Sequence, residues 1–311
     1  MTANQVTTHR TTDAPTRPGA TQRHGPGSAR HPASRDWMMI AVAVAAAVSA
    51  ITGLLVDGLY ASGRDGTGAA ATTQMLRAYD LVTLVVALPA LLWATTGTRR
   101  TATMSKLPAA ASLAYLGYTY AYYVFGNGFT DLLLLHVAVL TGSVIALIRD
   151  LPRLRGVTAP VVSRRALRGA AAILGLLTAA LGGMWVSVCL AYAVTGSLPQ
   201  GSLLVETDQV VQLGIVLDLA VLVPLYGTAA TLLWRQRAWG VVLGAIALVA
   251  GLMHQLSYLL ALVLQDAAGV PGAVGFDPLE PVIVSLYVVG TVLLFRALRH
   301  PPTHVPRSAT P

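Results

Sequence analysis

Few residues in this chain have side chains able to do chemistry away from water. Asp218, His136 and His254 each lie inside a long apolar run. A carboxylate near an imidazole that titrates close to neutrality suits proton transfer or the capture of a polar solute. Two histidines on different helices also suit bis-axial haem ligation. Phenols surround these groups. Tyr115, Tyr118, Tyr120, Tyr122 and Tyr123 are five tyrosines within nine residues. Tyr115, Tyr118, Thr119 and Tyr122 follow the i, i+3, i+4, i+7 spacing of one helix face. Tyr258 stands four residues after His254 on another such face, with Ala247, Gly251 and Ala261. A buried phenol needs a hydrogen-bond partner, so these faces should look into protein. Asp218, His254, Tyr115, Tyr118, Tyr122, Tyr258 and His136 are therefore the candidate pocket residues.

The elements that must position them are membrane helices. Of 311 residues 55% are apolar and 11% charged, against about 25% charged in soluble domains, and the mean hydropathy is +0.64. Eight apolar segments follow one another at roughly 37–56, 76–97, 107–126, 129–148, 169–194, 209–234, 240–264 and 281–298. Each is near the ~20 residues that cross a bilayer as helix, and lipid leaves helix as the only open-chain choice. The expected fold is all-α: a polytopic bundle of eight spans. The lipid bilayer is its main partner, and the bacterial cell membrane its location.

Charge orients the bundle. With both termini in the cytoplasm, 19 of the 21 lysines and arginines fall on the inner side, leaving Arg64 and Arg77 outside; this is the positive-inside pattern. The net charge of +8 is thereby absorbed, and nucleic acid is not an expected partner. Residues 1–35, rich in Thr, Pro, Arg and His, read as a disordered cytoplasmic tail. Residues 36–168 carry helices 1–4, residues 169–299 helices 5–8, and 300–311 a second tail. Trp37, Trp93, Trp234 and Trp239 mark inner helix ends. Tyr122 and Tyr123 fit an outer aromatic belt, Asp80 a solvated helix start, and His136 a structural or interfacial position among leucines. The lone cysteine, Cys189, reads as a small buried residue and permits no intrachain disulfide.

Asp218 lies about nine residues into its segment, hence roughly 13 Å deep at 1.5 Å per residue. An ionisable group at that depth costs several kcal/mol unless paired. The expected partners are His254 and the phenols of Tyr115, Tyr118 and Tyr122. A four-plus-four repeat is also suggested: Pro89 and Pro224 lie 135 residues apart, as do Arg100 and Arg235. Phosphate-binding loops with a lysine, HExxH, GxSxG, DxxxD pairs and TVGYG are all absent from the sequence.

YLGYTYAYYVFGNGFTDLLLLHVAVLTGSVIALI (115–148) and LDLAVLVPLYGTAATLLWRQRAWG (217–240) resemble a group of uncharacterised bacterial multi-pass membrane proteins. That group has a tyrosine-rich helix and an Asp–Pro helix closed by arginines and WG. The resemblance carries no activity with it. The functional expectation is a carrier or ligand-binding membrane protein, not an enzyme, with an outward-facing polar pocket for a small solute or a proton. The alternatives are an accessory or structural subunit, or a haem or quinone redox protein using His136 and His254. No cofactor is expected outside that haem alternative, and no metal. The oligomeric state is not legible.

Overall fold

The computed structural model describes residues 37–61, 67–95, 103–155, 161, 163–197 and 203–298. The tails expected at 1–35 and 300–311 lie outside the described residues. All regular structure among the described residues is helical. The first rod is α1, Trp37–Leu55. Next, α2 (Thr67–Val82) passes through a π-turn, Thr83–Ala87, into α3 (Leu88–Thr95). Helix α4 (Thr103–Ala121) ends in a second π-turn, Tyr122–Gly126. Then come α5 (Leu133–Arg155) and α6 (Arg164–Thr195). Helix α7 (Asp208–Leu217) passes through a third π-turn, Asp218–Leu222, into α8 (Val223–Trp234). Helices α9 (Ala238–Ala267) and α10 (Glu280–Ala297) complete the bundle.

Seven of these rods are long and apolar enough to cross a membrane by length and composition. The eighth expected segment also forms a helix, α4 with its π-turn, but it falls short of the others in apolarity. Its phenols and hydroxyls lower its hydropathy, and most are turned into the bundle rather than outward. The outward faces elsewhere are aliphatic, as Val44, Val48, Ile145, Ile148, Leu176, Val186 and Leu190 show. Such an exterior suits lipid, not water. Trp37, Trp93 and Trp234 stand on that exterior. Cys189 does too, so the expectation of a buried thiol is corrected. Val186 and Leu190, near it along α6, are exposed as well.

The π-turns of the second and sixth rods follow from proline. Pro89 and Pro224 donate no N–H, and each ring would strike the carbonyl four residues back. A wider turn just before each proline relieves this. Its closing bonds run from Leu88 N–H to Thr83 O and from Val223 N–H to Asp218 O.

Helix α9 is central and touches α2, α4, α5, α6, α8 and α10. It joins two apolar clusters, one around α1, α2 and α4, the other around α6, α8 and α10. Its approach to α8 depends on Gly240, where a Cβ would lie 2.5 Å from the Leu232 carbonyl carbon and the Leu233 nitrogen. No other residue type fits there.

Polar tethers fix one end of the bundle. The Gln265 amide near the end of α9 donates to the carbonyls of Ala71 (3.0 Å) and Val205 (2.8 Å) and accepts from Val205 N–H (2.9 Å). The Gln209 amide at the start of α7 donates to Phe125 O (2.8 Å). The starts of α2 and α7 and the ends of α4 and α9 thus share what we term the acidic end, beside Asp57, Glu206 and Asp208. At the opposite end, Arg149 of α5 reaches Met38 Sδ of α1 and Arg153 pairs with Asp150 at 3.0 Å.

Candidate functional site

Helix α4 presents phenols in two directions, and both are buried. Tyr115, Tyr118 and Tyr122 look toward α9 and the α7–α8 rod. Tyr120 and Tyr123 look toward α1 and α2. The belt expected at Tyr122 and Tyr123 is therefore corrected: these side chains are 5% and 1% exposed. They turn inward because each of the two faces has a carboxylate to meet.

The first carboxylate is Asp80, only 1% exposed rather than a solvated helix start. Tyr60, just after α1, donates to its Oδ2 at 2.7 Å, and the Tyr123 hydroxyl stands 2.8 Å from Oδ1 and 2.9 Å from Leu76 O. Gly53 makes this possible, since a Cβ there would overlap the Tyr60 hydroxyl and the Asp80 carboxylate. His136 is fully enclosed against the same group, its ring centroid 4.9 Å from that of Tyr123, 5.8 Å from Tyr120 and 6.4 Å from Tyr60. Both of its ring nitrogens are buried without a hydrogen-bond partner.

The second carboxylate is Asp218, 8% exposed. Tyr118 donates to Oδ1 at 2.6 Å and Trp185 Nε1 to Oδ2 at 2.7 Å. The Tyr122 hydroxyl is 3.3 Å from that of Tyr118. His254 packs edge-on against Tyr118 at 4.8 Å, with the Tyr79 ring at 6.2 Å and the Tyr122 ring at 6.5 Å. Its Nδ1 is buried without a partner. Toward the acidic end lies Glu206, in the loop that Gln265 tethers. Burial, with the Asp218 charge nearby, pushes the Glu206 carboxyl up to about 7.

Beneath the Asp218 group is a cavity of about 330 Å³, within the ~300–1,000 Å³ range of small-molecule sites. Its walls are aliphatic side chains from α4, α5, α8 and α9, with Tyr115, Tyr118, Tyr226 and His254 supplying the polar edges. Asp218 itself stands behind Tyr118, out of the lining. At the far side the Tyr226 and Tyr287 hydroxyls bond each other at 2.9 Å.

Of the expected pocket residues, the structure gathers Asp218, His254, Tyr118 and Tyr122 into one group. Tyr115 lines the same cavity but spends its hydroxyl on Ser257, at 2.8 Å. Tyr258 packs half-buried against the α1–α2–α4 core rather than in the cavity lining. His136 belongs to the other carboxylate. So His136 and His254, the pair on which the haem alternative rests, occupy separate clusters with tyrosines around each. Sequence reasoning missed Trp185 as the second donor to Asp218. It was also silent on Tyr60. The signal for Trp185 was there: an indole well inside an apolar helix, away from either end, also needs an acceptor.

Among the described residues, no group of three or more His, Cys, Asp or Glu side chains comes together as a metal site would require. The chain matches no known protein family, no curated protein and no solved structure. No family match thus supports the resemblance drawn from the tyrosine-rich and Asp–Pro helices.

Proposed function

We propose that the chain is an integral protein of the bacterial cell membrane that crosses it eight times, with both termini in the cytoplasm, and binds a small ligand in the cavity beside Asp218. The observation that carries the binding reading is the cavity wall itself. It holds His254, an imidazole with a bare buried nitrogen, next to Tyr118, whose hydroxyl the Asp218 carboxylate fixes in place. Hydrogen-bonding groups held ready at one edge of an apolar cavity are the general form of a ligand site. The site is one of binding and not of catalysis, and it needs no resident cofactor. The π-turns beginning at Thr83 and Asp218, 135 residues apart like the two prolines, support a four-plus-four repeat within the same reading.

Two experiments test it. Single cysteines at Gly272 and at Arg237, in a Cys189→Ser background, address the topology. The first should react with an impermeant thiol reagent in intact cells and the second should not; the reverse pattern sinks the orientation. For binding, thermal unfolding is followed in detergent with fractions of a membrane extract and with a library of soluble compounds. At least one should raise the melting temperature of the wild type and leave Ala250→Phe, which fills the cavity, unmoved. If nothing discriminates the two proteins, the accessory or structural reading replaces this one. A visible absorption spectrum without a Soret band after haem-replete expression would remove the redox alternative.

A further inference from the structure

We infer that the ligand is a membrane amphiphile with a single neutral head, a hydroxyl or a carbonyl, and that it enters the cavity sideways from the lipid between α5 and α8. The inference rests on the binding reading above and names its substrate class.

The route comes first. One side of the cavity is built by Val144 and Leu147 of α5, the other by Val221 and Leu222 of the sixth rod. Among the described residues these two rods share at most a marginal contact. Helix α5 packs on α1 and α4, and α8 packs on α6 and α9, with α4 and α9 forming the back of the gap between them. Val144 and Val221 both line the cavity and are 41% and 47% exposed on the bundle exterior. They are therefore the two lips of a mouth. The surface around that mouth is aliphatic, so what meets it is acyl chain and not water. A water-soluble solute has no reason to collect there, whereas a molecule dissolved in the bilayer already does.

The head comes second. The polar edge is His254 and Tyr118, and the cavity lining has no arginine or lysine. Asp218 stands one hydrogen bond behind Tyr118, and Glu206 is near enough to feel its charge. A phosphate or carboxylate head would thus be buried without a counter-charge and close to acidic groups, a costly arrangement. A neutral head is free of that penalty. A hydroxyl or carbonyl matches an imidazole, which offers one donor and one acceptor. The cavity of about 330 Å³ takes this head and the first part of a chain; the remainder stays between α5 and α8 in the bilayer.

The test uses full-length protein in nanodiscs and three photoreactive probes: a long-chain alcohol, the fatty acid of equal length, and a short water-soluble alcohol. The long alcohol should label α5 or α8 peptides at the cavity and be competed by its unlabelled form. Losing the His254 hydrogen bond in His254→Leu should weaken labelling about fivefold, the equivalent of ~1 kcal/mol. Val221→Trp, which blocks the mouth from an exposed position and leaves the core alone, should also abolish it. The fatty acid at pH 7.5 should label weakly. Equal or stronger labelling by the acid would overturn the neutral head. Displacement of the long probe by the short soluble alcohol, or undiminished labelling of Val221→Trp, would overturn entry from lipid. If only a soluble compound stabilises the wild type and spares Ala250→Phe, the amphiphile is wrong and the binding reading stands. If neither kind of ligand acts, both fail together.

Discussion

The Asp80 and Asp218 sites are chemically close to twins. Each is a buried carboxylate with two side-chain donors, Tyr60 and Tyr123 for the first, Tyr118 and Trp185 for the second. Each has a histidine with an unpartnered nitrogen packed on the donor rings, and each lies at or near a π-turn. They differ in what surrounds them. Asp80 is sealed by α1, with Gly53 pressed against it, and no part of its group lines the cavity. The Asp218 group lines a cavity through Tyr118 and His254, and Glu206 lies between it and the acidic end. Closely similar polar chemistry is thus sealed within the bundle in one place and lines a cavity in the other. Composition does not separate these settings; the packing on the far side of the histidine does.

This contrast breaks most easily at Asp80. Asp80→Ala would leave the buried Tyr60 phenol without its acceptor, at about 1–3 kcal/mol, would leave Tyr123 only the Leu76 carbonyl, and would open a hole between them. It should give the largest fall in melting temperature of any single change discussed, while Asp80→Asn, which keeps an acceptor, should fall less. If Asp80→Ala unfolds no more readily than Asp218→Ala, the sealed site holds the bundle no more firmly than the one beside the cavity. Next in size is Gly53→Ala, where the new methyl has no room beside Tyr60 and Asp80. Overpacking of this kind costs about 1–3 kcal/mol. Gly183→Ala, on an open helix face, is the matched control and should be neutral. Trp185→Phe removes one donor from Asp218 but keeps most of the ring. A modest loss of stability is expected together with weaker ligand protection, and a change in stability alone would move Asp218 into the same class as Asp80.

The smallest effect is the pH dependence that Glu206 contributes. Burial holds the Glu206 carboxyl near 7, above its ordinary 4.5. The fold therefore favours its protonated form. As pH climbs from about 4.5 to 7 the unfolded chain gives up that proton while the folded protein keeps it, so stability falls across this window and levels off above it. Glu206→Gln should flatten that part of the profile. Differential scanning fluorimetry of the two proteins between pH 4.5 and 8 reads the difference directly, and parallel curves would refute it.

Much of this was legible in the sequence for physical reasons. Apolar length dictates helix, and the 3.6 period divides the tyrosine run into faces. An acid within an apolar segment must find donors, and Asp218 does find Tyr118. What was not legible is which distant residue completes each pair. Trp185 and Tyr60 are joined to their carboxylates across 33 and 20 residues by packing that no local spacing encodes. Asp80 was misread because the chain around it, with Arg77 three residues before, looks like a wet helix end. The Asp57–Arg77 pair at 2.7 Å is indeed partly wet. One turn further in, α1 closes over Asp80, and Tyr60 is what it brings.

The π-turn at Asp218–Leu222 amounts to one residue more than an α-helix between the same two neighbours would hold. Removing Leu219 would let that turn close as ordinary helix. The flanking helices would keep their faces, since the widened turn already absorbs the extra residue, and Asp218 would still look toward Tyr118 and Trp185. What the deletion would take away is the room beside the Pro224 ring, which would press again on the carbonyl four residues back. The extra residue is thus what lets this rod carry a proline without changing the face that Asp218 presents.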